Sequence, residues 1–161
     1  MGPLLRRSLL VVHVLSSVGW FGAVAAFLVL AVAGLGSGDT QVVSAMYVSA
    51  QLITWYVIVP LGVLSFVSGV VQALGTRWGL VRHYWVLMKL VLTTGALGFL
   101  FLHTGIIDAA AGHHVAEDLD AFDAMRLQLV VDSAAACGVL ALTTLLSIVK
   151  PRGRTPFRVG R

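Results

Sequence analysis

The chain has 161 residues, 58% of them hydrophobic and 11% charged, with a mean hydropathy of +0.95, whereas a soluble domain carries about a quarter charged residues. This balance excludes a water-soluble core and predicts an integral membrane protein. The net charge of +4 lies outside the apolar blocks, so it reads as a topology signal rather than a nucleic-acid surface, and one cysteine, Cys137, excludes an intrachain disulfide or a thiolate metal cluster.

Four apolar stretches, at 8–35, 45–75, 83–107 and 123–149, each exceed the roughly 20 residues that cross a bilayer. A segment isolated in lipid must satisfy its own backbone hydrogen bonds. The expectation is therefore an all-α four-helix transmembrane bundle forming a single domain over 1–161, with the lipid bilayer as its first partner.

In the first span, Arg6 and Arg7 precede the apolar run and Ala31-Val32-Ala33 resembles a signal-peptidase site. The run is longer than the roughly 7 to 15 residues of a signal core, so a retained span is expected. His13, Ser17, Trp20, Val24 and Phe27 share one helical face, with Gly19, Gly22, Ala23 and Ala26 around it for close helix approach.

In the second span Gln51, Trp55, Gly62, Ser65, Gly69 and Gln72 fall on one side of a regular helix, and Pro60 predicts a kink. In the third, Arg82, Trp85, Lys89, Thr93, Ala96, Leu100 and His103 line one side. The connection from Asp108 to Arg126 is acidic, carries His113 and His114, and suggests a short surface helix from Val115. The fourth span has Gln128, Asp132, Ala136, Val139, Thr143 and Ser147 on one side. Trp55, Tyr56, Trp78, Tyr84 and Trp85 read as interfacial anchors.

Basic residues fix the expected orientation. Arg6 and Arg7, Arg77 and Arg82, and the tail from Lys150 to Arg161 mark cytoplasmic segments, while Asp39 and the Asp108–Asp123 stretch face outward. Both termini are thus expected in the cytoplasm, with the chain in a bacterial inner membrane.

An ionisable residue at membrane depth costs about 2.5 to 3.5 kcal/mol and needs a partner or a purpose. The candidates are His13, Lys89, His103 and Asp132, with Gln51 as a further intramembrane polar group. Counting about 1.5 Å per residue separates them into two layers, with His13, Lys89, Thr143 and Ser147 at the cytoplasmic side and His103 and Asp132 roughly 20 Å away. One haem held between His13 and His103 is excluded by that distance.

Three functions remain open. The inner layer suits haem b, with His13 as axial metal ligand, Trp20 packing on the porphyrin and Lys89 or Arg82 pairing a propionate. The outer layer, with His103, Asp132, His113 and His114, offers nitrogen and oxygen donors for a divalent metal and so a cation or metal permease. Small-residue faces alone would serve a non-catalytic accessory subunit, in a homo-oligomer or with a membrane complex partner.

The run His13-Val14-Leu15-Ser16-Ser17-Val18-Gly19-Trp20-Phe21-Gly22 resembles the first helix of the copper-resistance-D-like superfamily, which includes a haem-containing membrane protoporphyrinogen oxidase. The resemblance implies a haem-binding role for His13, and Trp85 with Lys89 matches a tryptophan-lysine pair four residues apart in a later helix of that oxidase. Over nearly its full length, with Gln72 to Lys89 and Lys150-Pro151-Arg152-Gly153 as the telling pieces, the chain resembles a domain-of-unknown-function family of integral membrane proteins in or near that superfamily. Asp132 stands near where some relatives have a histidine, a departure that weakens any ligand pair carried over to that level.

Overall fold

The computed structural model describes residues 2–75, 83–112 and 119–149, with the side chains of all but 119–121. The described chain is helical, without strands, and forms α1 (Pro3–Gly36), α2 (Thr40–Gly75), α3 (Tyr84–Gly112) and α4 (Leu119–Val149). Each contains a stretch long and apolar enough to cross a membrane, which fits a small multi-pass integral membrane protein. Arg77, Trp78, Arg82, His113, His114, Val115 and the basic tail lie outside the described residues.

The helices form a ring in which α1 packs on α2 and α4, and α3 packs on the same two. Buried Trp20, Phe27 and Ala31 of α1 meet Tyr47, Ala50 and Ile58 of α2 and Leu129 of α4 in the core. The outer surface is equally apolar: Leu102 and Tyr56 are 80% and 77% exposed, as expected where hydrocarbon replaces water as solvent.

Local chemistry sets the ends. Pro3 occupies the first turn of α1, where its missing N–H costs nothing. Asp39 caps α2, its Oδ1 accepting from the backbone N–H of Gln41 at 2.8 Å and of Val42 at 3.4 Å. The cap places the start of α2 at Thr40, ahead of the expected 45. The third helix runs through Asp108 to Gly112 instead of stopping at 107, and α4 starts at Leu119, ahead of 123.

The expected disturbance at Pro60 takes a specific form. Thr54–Ile58 is a π-helical turn, closed by Val59 N–H on Thr54 C=O. Pro60 has no N–H for the carbonyl of Tyr56 and its ring crowds that carbonyl, so the chain absorbs one residue more than an α-turn takes. One extra residue is about 100° of rotation. The single polar side expected for α2 is therefore split: Gln51 and Trp55 face α3, while Ser65, Gly69 and Gln72 face α1.

Candidate functional site

Polar groups gather in two layers. At the end of the bundle that carries the N-terminus, α2 grips His13. Its Nδ1 lies 3.0 Å from Ser65 C=O and 3.2 Å from Ser68 Oγ. Ser68 Oγ already donates to Leu64 C=O at 2.7 Å, and a carbonyl can only accept, so the proton sits on Nδ1. That tautomer leaves Nε2 bare, and Nε2 has no hydrogen-bond partner among the described residues. Ser17 and Ser65 hydroxyls join at 2.7 Å beside it, and Gln72 Nε2 donates to Leu9 C=O at 2.9 Å.

Gly69 completes the seat. A Cβ built there would lie 3.0 Å from His13 Cε1, closer than carbon atoms ordinarily approach. The imidazole therefore rests directly against the α2 backbone.

His13 lines a cleft of about 440 Å³ shared by all four helices, with Arg6, Trp85, Lys89 and Ser147 among its walls. The size falls within the usual range for small-molecule sites. Lys89 donates to Ser147 Oγ, which itself donates to Thr143 C=O at 3.1 Å. Lys89 has no carboxylate partner among the described residues, where the contacts between basic and acidic side chains are His103–Asp132 and Arg126–Asp123, both in the other layer. Arg6 stands seven residues before His13, two turns along the same face, a spacing that marks it as part of this site.

The two polar layers are separate, as the residue count predicts. In the far one, His103 Nδ1 donates to Phe99 C=O at 2.9 Å, the ring stacks on Phe99 with centroids 3.9 Å apart, and Nε2 lies 3.5 Å from Asp132 Oδ2. This is the cross-helix pair that sequence spacing allows. No group of three or more His, Cys, Asp or Glu able to hold a metal exists among the described residues.

Trp20 lies away from His13 and lines a cavity that reaches His103 and Asp132 of the far layer. It is 3% exposed, and the cavity, of about 70 Å³, is also lined by Phe27, Thr54 and Leu129; the cleft beside His13 has no contribution from it. Gly62 is the cause, since a Cβ there would lie 3.0 Å from Trp20 Cε2, and the absence of that atom lets the indole pack inward. Arg82, the other expected anion partner, is outside the described residues.

Two residues at the ends of the expected outer connection are structural. Asp108 Oδ1 accepts from Gln51 Nε2 and Trp55 Nε1, both at 2.9 Å, clamping α3 to α2. Trp55 is thereby held within a continuous helix and tied to a carboxylate. Arg126 donates to the carbonyls of Gly34, Leu35 and Ser37, which are the unpaired acceptors at the end of α1, and to Asp123 at 2.9 Å. Sequence patterning misses both because the helices extend beyond their apolar stretches.

A scan against models of protein families, a search of curated proteins and a search of solved structures found no match to this chain.

Proposed function

We propose that this four-helix membrane protein binds haem b in the cleft at the N-terminal end of the bundle, where His13 Nε2 would hold the iron and Lys89 and Arg6 would pair the propionates. The observation that carries the reading is the tether of His13 Nδ1 to the Ser65 carbonyl. Histidines that bind metals characteristically give their second ring N–H to a carbonyl or carboxylate, and Ser65 C=O takes that role at 3.0 Å. The cleft volume and the unpaired cations favour the same ligand. Haem bound there would supply one-electron redox chemistry.

The chain's own residues do the rest. Ser65, Ser68 and Gly69 hold the imidazole, and Ser147 orients the Lys89 ammonium. The described residues lining the cleft include no second His and no Met or Cys, so single-histidine ligation is part of the proposal. Membership of the copper-resistance-D-like superfamily, residence in a bacterial inner membrane and cytoplasmic termini, which would put the cleft at the cytoplasmic side, belong to it as well.

The test is an absorption spectrum of the protein purified from haem-replete cells. A Soret band that His13→Ala abolishes supports the reading, and a colourless wild-type protein refutes it. A second reading, an accessory subunit of a membrane complex, is favoured by Gly95, Gly98 and Gly105 of α3, around which a Cβ would meet nothing within 4 Å; stoichiometric co-purification of a cofactor-free chain with a partner is its signature.

A further inference from the structure

Lys89 raises a question of charge that His13 does not answer. An ammonium within a membrane span is costly to insert unless something neutralises it. Among the described residues no carboxylate does so, and Ser147 engages one of its three N–H donors. Arg6 lines the same cleft, and its guanidinium makes no hydrogen bond or ion pair among the described residues. Two cations thus face one space with donors to spare and no counter-ion among the described residues.

The remaining walls say what kind of anion fits. Leu10, Val14, Phe66 and Leu90 are apolar and line the cleft beside the two cations. Leu10 and Val14 are also 51% and 48% exposed on α1, so the cleft is continuous with the lipid-facing surface. A soluble anion would leave those walls without a partner, whereas an amphiphile satisfies both halves.

We infer that the cleft is a binding site for an anionic membrane lipid, whose charged head group lies between Arg6 and Lys89 and whose acyl chain runs along Leu10 and Val14. The site rests on the cations and the apolar walls, not on His13, so lipid binding does not require haem, and the two ligands would compete for the cleft. Such a lipid supplies the counter-charge that the described residues lack, and it occupies the space a second amphiphile with acidic groups would have to enter.

The test uses the full chain in nanodiscs containing equal mole fractions of phosphatidylglycerol and phosphatidylcholine, with one lipid or the other brominated to quench tryptophan. Trp85 lines the cleft, and the difference between wild type and Trp85→Phe isolates its signal. Stronger quenching of Trp85 by brominated phosphatidylglycerol is expected, with the preference falling about fivefold in Lys89→Gln and again in Arg6→Gln, since each basic residue near a membrane surface contributes on the order of 1 kcal/mol. Arg6 is exposed, so its substitution leaves the fold intact.

Equal quenching by both lipids would overturn the inference, as would a preference that survives both substitutions. Millimolar inorganic phosphate that removed the preference would point to a free anion and overturn it too. His13→Ala is expected to retain the lipid preference; a wild-type protein that is haem-free yet shows the preference refutes the haem reading alone.

Discussion

Substituting Gly69 by alanine probes the seat of His13 with one methyl group. The added Cβ would stand 3.0 Å from His13 Cε1 and 3.4 Å from Nδ1, against the roughly 3.5 to 4.0 Å of favourable carbon contacts. The ring must retreat by about 0.5 Å to reach that range, and retreat stretches the 3.0 Å bond to Ser65 C=O. Losing such a bond costs about 0.5 to 1.5 kcal/mol, which is a two- to twelvefold weakening of a cofactor that depends on the tethered imidazole, at about 1.4 kcal/mol per tenfold. In the fold without cofactor the helix advantage of alanine over glycine, up to about 1 kcal/mol, offsets part of that cost, so fold stability is expected to fall by less than the binding free energy. Haemin titration followed at the Soret band, alongside thermal unfolding in detergent, separates the two. Unchanged haem affinity would refute the reasoning, and so would a loss of affinity matched by an equal loss of stability.

Other substitutions test the frame around the cleft. Gly34→Ala would place a Cβ 2.9 Å from the ring of buried Tyr47, and overpacking of this kind is expected to lower unfolding stability by about 1 to 3 kcal/mol. Asp108→Ala strands the indole of Trp55 and the amide of Gln51; a loss of about 2 to 4 kcal/mol in chemical denaturation is expected, with Asp108→Asn retaining part of it. Arg126→Met removes three bonds to the end of α1, and hydrogen exchange of the amides around Ser37 is expected to rise while those around His13 stay protected. His13→Ala combined with Asp132→Asn should change stability additively within about 0.5 kcal/mol, because the two sit in different polar layers; a larger coupling would show that the layers communicate.

The four helices were legible in the sequence because their signal, long apolar stretches with charges at the ends, depends on composition more than on contacts. Depth was legible as well, since a helix converts residue number to height, and Lys89 does meet Ser147 as the count requires. Facing was less so. A single π turn moved Gln51 and Trp55 to a different neighbour from Ser65 and Gly69, and no count at 3.6 residues per turn could contain it. Trp20 misled for a related reason: the spacing from His13 to Trp20 puts both on one face, but Gly62 opens a space that draws the indole into the core. The tautomer of His13 depends on a carbonyl 52 residues away, and backbone carbonyls leave no trace in sequence patterning.

The π turn in α2 has a consequence for movement. It is a helix holding one residue in surplus, and a surplus residue can be passed along the chain, turn by turn, as a fold passes along a carpet. Pro60 bars its passage toward the C-terminal half, since that half begins with a residue that cannot donate. Any shift of the surplus would therefore run toward Thr40, against the buried Tyr47 and Ala50. Each step in that direction would rotate one more residue of the far half by about 100°, taking Gln51 and Trp55 off Asp108 while Ser65 and Gly69 stayed on His13. The register of the far half is thus held by Asp108 and by buried Tyr47 and Ala50, and the half beyond Pro60 keeps its grip on the imidazole.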